Sequence, residues 1–261
     1  MTDKLLVESH GAVRRLIINR PRIRNALDAE TTDALRAAVL AAEADEATRV
    51  IILTGAGGAF SSGADLTAAL GDHDPDSVFR ILTEHYAPTL QAIRACRWPV
   101  IAAVDGVAAG IGCDFALACD VRLASERASF AELFIRVGLV TDGGASWLLP
   151  RLIGYGRALE MALTGEAVDA AEAQRLGLAN RVYGAEEFEA RVMEYAEGLA
   201  RQAPLALVRM KRAFLAAQHV LPSASFAPAI WCGATAKAAC IMLAGLITRS
   251  SCAACASSWK R

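Results

Sequence analysis

An α/β architecture is what this sequence predicts, with several parallel strand–turn–helix units. Continuous β-branched or small apolar runs, VIILTG at 50–55 and WPVIAAVDG at 98–106, suit strands buried on both faces. Stretches with helical apolar spacing alternate with them at similar intervals. A glycine-rich loop, GAGGAFSSGADL at 55–66, leads out of one such strand.

Taken in order, LLVESHGAVRRLIIN at 5–19 alternates apolar and polar residues around Gly11, which predicts two short antiparallel strands. Leu27, Leu35, Val39 and Ala42 then recur at helical spacing, and Asp28 suits the N-cap. SVFRILTEHYAPTLQAIRAC at 77–96 reads as helical on both sides of Pro88. GIGCDFALACD at 110–120 reads as a short apolar helix, and VRLASERASF at 121–130 returns as strand and turn. GRALEMALTGEAVDAAEAQRLGLANRVY at 156–183 predicts two helices around a Thr-Gly turn, then a strand. EEFEARVMEYAEGLARQAP at 186–204 predicts an amphipathic helix that Pro204 ends.

The 261 residues provide one good core, or one domain plus an appendage. A composition 54% apolar and 21% charged is that of a folded globular chain, and a net charge of -1 speaks against a nucleic-acid or membrane-surface partner. The longest apolar stretch, around Ile101 to Ala109, is broken by Asp105 and is too short to span a bilayer. The opening MTDKLLVESHG has no apolar run of the signal-peptide kind, so a cytoplasmic location is expected. Of seven cysteines, Cys96, Cys113 and Cys119 read as reduced core residues. Cys252 and Cys255 form a CxxC without a second pair or a nearby histidine, so no metal site is expected.

Composition changes near the end. All 28 acidic residues precede residue 200, and residues 201–261 hold four of the seven cysteines. The expected division is a core over 1–200 and a distinct C-terminal segment over 201–261. The loss of periodicity after His219 suggests a shifted reading frame; a divergent, buried tail is the other reading.

Four stretches then stand in a specific order: NRPRIRNAL at 19–27, GAFSSGADL at 58–66, WPVIAAVDGVAAGIGCDFALACDVRLAS at 98–125 and FAELFIRVGLVTDGGASWLLPRLIG at 130–154. Together they resemble the crotonase (enoyl-CoA hydratase/isomerase) family over about residues 5–215, which implies an α/β spiral of strand–turn–helix units with a helical C-terminal segment. The resemblance implies an acyl-CoA thioester substrate, no cofactor beyond its CoA moiety, and a homotrimer or hexamer with the C-terminal helices between subunits. It also implies a backbone oxyanion hole for the thioester enolate, with the N–H groups of Ala64 and Ile111 as donors. Many family members have glycine where Ile111 stands. Arg22, Ile23 and Arg24 match the loop that meets the nucleotide in the family, and Asp65 reads as a structural brace.

The resemblance also bears on reaction type. Family hydratases share a water between two glutamates. Asp114 stands at the first position and Phe134, which cannot move a proton, at the second; Glu132 lies two residues away. On a strand, Glu132 would share a face with Phe134. Asp142 matches the aspartate of isomerase-like and dehalogenase-like members. The favoured reading is an enoyl-CoA isomerase with Asp142 as acid/base and Asp114 in support. The alternatives are a hydratase using Asp114 with Asp142 or Glu132, attack by Asp142 on an aryl or acyl carbon within walls partly supplied by Trp98, Phe134 and Trp147, and a non-catalytic acyl-CoA binder. Simpler structural roles stand beside these: Asp142 as a helix cap, Asp114 as an acid in a helix's first turn, and the three aromatics as core. None of His10, His73, His85 and His219 sits in a motif. Ser61 and Ser62 lack a nucleophile elbow, and GAGG at 55–58 is no dinucleotide fingerprint.

Overall fold

The computed structural model describes residues 3–65 and 79–218. The expectations for His73, His219, the Cys252–Cys255 pair and a changed frame after residue 219 lie outside the described residues. Six strands form the main sheet in the order β1-β2-β3-β4-β6-β9. They are β1 (Leu5–His10), β2 (Val13–Ile18), β3 (Val50–Gly55), β4 (Val100–Val104), β6 (Val121–Ser125) and β9 (Arg181–Tyr183). β1 and β2 form the expected antiparallel hairpin, with Leu5 opposite Ile18 and His10 opposite Val13, and every other pairing in this sheet is parallel.

The pleat explains why β3 and β4 read as unbroken apolar runs. Alternate side chains enter two different cores. Val50, Ile52, Ile101 and Ala103 pack with Phe188, Val192 and Ala196 of helix α7 (Phe188–Ala200). Ile51, Leu53, Val100 and Ala102 face the other way. There they join Leu35 and Val39 of α1 (Ala29–Ala44), Leu90 and Ile93 of α2 (Ala87–Ala95), and Phe115 of α3 (Ile111–Ala118). Asp28 does cap α1, its Oδ1 accepting the Thr31 N–H at 2.8 Å. Cys96, Cys113 and Cys119 are free and buried, as their apolar surroundings predict.

A second sheet of β5 (Val107–Ala109), β7 (Ser129–Ala131) and β8 (Val168–Asp169) lies over the functional loops. Its strands of two or three residues are too short for an alternation to show in sequence. It corrects one expectation. The FAEL stretch is strand only as far as Ala131; Glu132 stands at the N-cap position of a tight 3-10 turn (Leu133–Val137) without a side-chain bond to it, and shares no strand face with Phe134. A second difference precedes α2, where Ile81–Tyr86 forms a wide π-type turn. It falls just ahead of Pro88, whose missing N–H cannot close an ordinary turn.

Helices α4 (Ala145–Ile153), α5 (Tyr155–Thr164) and α6 (Ala170–Leu176) come next, with Gly165 ending α5 in the left-handed region as the Thr-Gly turn requires. Pro204 does not end α7, which stops at Ala200. It opens α8 (Pro204–Ala217), where a first-turn proline costs no hydrogen bond. No residue of α8 is buried, and Leu205, Met210 and Phe214 are exposed; Lys211 ties the helix to the core through the Trp98 carbonyl (3.0 Å) and Asp120 (2.6 Å). No helix among the described residues is long and apolar enough to cross a membrane.

The segment 20–25 has the most constrained backbone. Arg24 and Asn25 both hold positive φ (50° and 57°), unusual for residues with a Cβ. Asn25 is fully buried and makes that conformation useful. Its Nδ2 donates to the carbonyls of Ala56 (2.8 Å) and Ala59 (2.7 Å), and its Oδ1 accepts the Arg20 N–H (2.9 Å). One side chain thus clamps this loop to the glycine-rich loop after β3. Asn25→Ala leaves two carbonyls and an N–H unpaired while keeping the left-handed backbone. The expected loss is about 2–4 kcal/mol of unfolding free energy, read by urea denaturation; a loss under ~0.5 kcal/mol would show the clamp to be ornamental.

Candidate active site

Two loops bring Ala64 and Ile111 together. Main-chain bonds stitch the first loop to its neighbours: Ser62 N–H to Arg24 O (2.9 Å), Leu27 N–H to Gly63 O (2.8 Å) and Asp65 N–H to Leu27 O (2.9 Å). The second is held by Ala109 N–H to Ser61 O (2.9 Å) and Gly110 N–H to Ala131 O (2.8 Å). Neither Ala64 N–H nor Ile111 N–H donates to another backbone group among the described residues. Ile111 is the first residue of α3, so its N–H has no partner within the helix and carries the positive end of the helix dipole. Between the two amides, Gly63 holds φ 99°. A Cβ there would lie 2.8 Å from Ala109 O and 3.7 Å from Ile111 N, so only glycine allows so close an approach.

Three carboxyl groups gather beside the second amide. Asp114 lies in the first turn of α3, Glu132 at the end of β7, and Asp142 in the loop before α4. Asp114 and Glu132 are completely buried, and none of their four carboxyl oxygens has a hydrogen-bond partner among the described residues. Asp142 is different: the residue keeps partial exposure, while its Oδ1 is buried and unpartnered. Gly143 seals the group. A Cβ added there would stand 2.5 Å from Cγ and Oδ2 of Asp114 and equally close to Cδ1 of Ile111. The Ile111 side chain is therefore spent against Gly143, beside the Asp114 carboxyl.

Burial without compensation raises all three acids. It lifts Asp142 to about 7. Burial, with the Asp142 charge added, lifts Glu132 to about 8, offset in part by the Cys113 thiol beside it. Asp114 is pushed well above the carboxylate range by burial first and then by Glu132 and Asp142, despite amides of Ala145 and Gly143 facing it at poor hydrogen-bonding geometry. Three like charges in one apolar pocket cannot all form, so the protons leave in steps that belong to the group. The simpler roles fare differently. Gly144, with no side-chain bond, stands at the N-cap of α4, so Asp142 is not that cap. Asp114 does occupy a first turn, and its raised pKa means the helix dipole does not offset its burial.

Arg22, Ile23 and Arg24 are exposed on the 3-10 turn beside the first loop, and Ser62 Oγ donates to the Ile23 carbonyl (3.1 Å). Asp65 braces that loop through Arg20 (2.8 Å). Trp98 does not wall the site: it precedes β4, at the strand end opposite the loop that leads to Ile111, and is flanked by Arg49 and Arg97. Trp147 lies between Arg94 and Arg151, and Phe134 is buried in the 3-10 turn. His85 pairs with Asp33 (2.9 Å). Two contributors carried no sequence signal. Gly143 looks like any glycine of its loop, and buried Tyr86, whose hydroxyl donates to Leu27 O (2.8 Å), feels the Asp142 charge.

The mainly parallel sheet, with its strand–turn–helix units, has the crotonase fold. The sequence matches the family model described as enoyl-CoA hydratase/isomerase over residues 8–226. A probable enoyl-CoA hydratase of Rhodobacter capsulatus is 42% identical over 201 residues, 76% of each chain. The crystal structure of an enoyl-CoA hydratase from Mycobacterium avium subsp. paratuberculosis superposes with a TM-score of 0.81 at 35% identity, covering 93% of this chain and 95% of that one. A monofunctional enoyl-CoA isomerase from M. smegmatis does so with a TM-score of 0.72 at 33% identity, covering 85% and 97%. The chain belongs to the enoyl-CoA hydratase/isomerase family.

The acids carry a stability signature. Glu132 moves from 4.5 unfolded to about 8 folded, so through that interval the native state keeps a proton that the unfolded chain has lost. Its stabilising contribution is whole below the unfolded value and falls as pH rises to the folded one. Glu132→Gln cannot ionise. Its unfolding free energy relative to the parent is expected to improve by on the order of 3 kcal/mol between pH 5 and pH 9 in urea titrations. An equal difference at both pH values would mean that Glu132 titrates normally.

Proposed function

We propose that the protein is an enoyl-CoA isomerase in which Asp142 carries the proton. One observation bears most of this: Asp142 alone of the three acids has an oxygen buried in the pocket while the residue remains partly open to an incoming substrate. The thioester oxygen would accept the N–H groups of Ala64 and Ile111. The Asp142 carboxylate takes a proton from the carbon beside the carbonyl, and the electron pair moves into the carbonyl as a dienolate. The same carboxyl then returns that proton two carbons further along. The negative charge moves from carboxylate to dienolate and back, so the pocket total is constant. An acid held near neutrality serves in both directions. Arg22 and Arg24, as exposed cations beside the first loop, suit the phosphates of the CoA nucleotide, with Ile23 between them.

Phe134 supports the same reading, since a phenylalanine stands where the family hydratases carry their second glutamate. A hydratase is the second reading on one observation: Glu132 joins Asp114 in the same pocket, which supplies two acids that could hold a water.

Proton exchange and double-bond migration in heavy water, measured over a panel of enoyl-CoAs, separate the two. Asp142→Asn is expected to lose about 10²–10⁴-fold in isomerisation with CoA binding intact. Water addition that survives the substitution would move the chemistry to Asp114 and Glu132.

A further inference from the structure

The isomerase reading gives Glu132 no task, yet it is a completely buried acid with both oxygens unpartnered, in the pocket where the proton moves. Its position is not accidental to the site. It comes directly after Ala131, whose carbonyl accepts the N–H of Gly110, and Gly110 immediately precedes the Ile111 amide. The strand end that fixes the second oxyanion donor therefore also fixes Glu132.

We infer that Glu132 is a positioning residue that limits the pocket to a single negative charge, acting on the reaction by staying protonated beside Asp142 and switching turnover off when it ionises.

The groups that face the pair are of one kind. From α3 come Asp114 and the Cys113 thiol, from the turn before α2 comes Tyr86, and from the loop before α4 comes Asp142 itself. Burial, the Cys113 thiol and the Asp142 charge set the shift of Glu132, and burial with its own backbone amide sets that of Asp142. Arg20, which acts on Tyr86, is itself held by Asp28 (3.1 Å) and Asp65 (2.8 Å). None of these groups can neutralise a second negative charge. With Glu132 neutral, the pocket holds one charge throughout: on Asp142 before proton removal, on the dienolate after it. With Glu132 ionised, the dienolate forms beside a buried carboxylate, and like charges at such range in a poorly solvated site are costly. Turnover should therefore rise as Asp142 ionises, around pH 7, and fall as Glu132 does, around pH 8.

The consequence for turnover rests on the isomerase reading; the charge coupling does not, and the experiment reads both. Protein labelled with ¹³C at the glutamate carboxyl is titrated by NMR, with Glu132→Gln or, should that variant not fold, Glu132→Asp identifying the resonance. Glu132 is expected to titrate above neutrality, and about one unit lower in Asp142→Asn. In parallel, kcat/KM is followed from pH 5.5 to 10. Glu132→Gln is expected to keep the rising limb, remain within about tenfold of the parent at neutral pH and exceed it above pH 9 by losing the falling limb; Glu132→Asp should restore that limb. The inference is overturned by a Glu132 titration in the ordinary carboxylate range, by one that ignores Asp142→Asn, by an unchanged alkaline limb, or by loss of all turnover in folded Glu132→Gln. If the parent protein turns over no enoyl-CoA, the isomerase reading falls and the NMR titration alone decides the coupling.

Discussion

Everything around the site depends on leaving two backbone amides unpaired in a place where almost every neighbouring amide is used. The N–H groups of Leu27, Asp65, Ser62, Ala109 and Gly110 are all committed to carbonyls of adjoining segments. Those bonds fix the loops, and the fixed loops leave Ala64 and Ile111 without backbone acceptors among the described residues. Ile111 is buried and Ala64 only partly so, and an amide left without an acceptor away from water is costly, so the surrounding bonds must over-determine the arrangement. The same reasoning accounts for the backbone at Arg24 and Asn25. Two positive φ values in succession are tolerated because the Asn25 amide bridges both loops, and the cost falls where donors must be aimed.

The second cost is electrostatic. Asp114, Glu132 and Asp142 would each be more stable in water than where they are. A fold built for stability alone would place amides, hydroxyls or an arginine among them, as it does elsewhere. Arg122, equally buried, finds the Leu178 and Cys119 carbonyls at 2.6 and 2.9 Å. The chain can satisfy a buried ionisable group and in this pocket does not. Orphaned acids beside free donors are matched to a substrate that brings its own charge during reaction.

Much of this was legible in the sequence, and the exceptions have physical causes. Long strands and the capped first helix announce themselves through period and Asp28, whereas the two donor loops were legible only through the family resemblance. The second sheet does not, because strands of two or three residues have no measurable alternation. That omission also left the orientation of Glu132 unread. With FAEL read as continuous strand, Glu132 and Phe134 fall on one face; the real strand ends at Ala131, and the turn after it sends the two residues to different surroundings. Tyr86 was hidden because Pro88 marks a break in the helix ahead of it without showing that the turn there is wound wide and buries Tyr86. Pro204 misled for a different reason: proline ends one helix and starts another with equal ease, and only the chain beyond it distinguishes the two.

Two residues in which this chain departs from the hydratase pattern act in the same direction. Phe134 removes a carboxylate, and Ile111 adds an apolar side chain next to the one that remains. With Ile111 Cδ1 and Asp114 both crowded against Gly143, Asp114 has no space for a water on that side and is held protonated. A neutral, occluded acid is a poor base for activating water and a poor shuttle, because it cannot accept a proton. On the proposed isomerase reading, the task of moving a proton falls to the acid that is neither occluded nor so strongly raised, Asp142. On the isomerase reading, the isoleucine at the oxyanion donor is thus part of the reaction's selectivity: it preserves the amide that stabilises the enolate while withdrawing Asp114 from water chemistry.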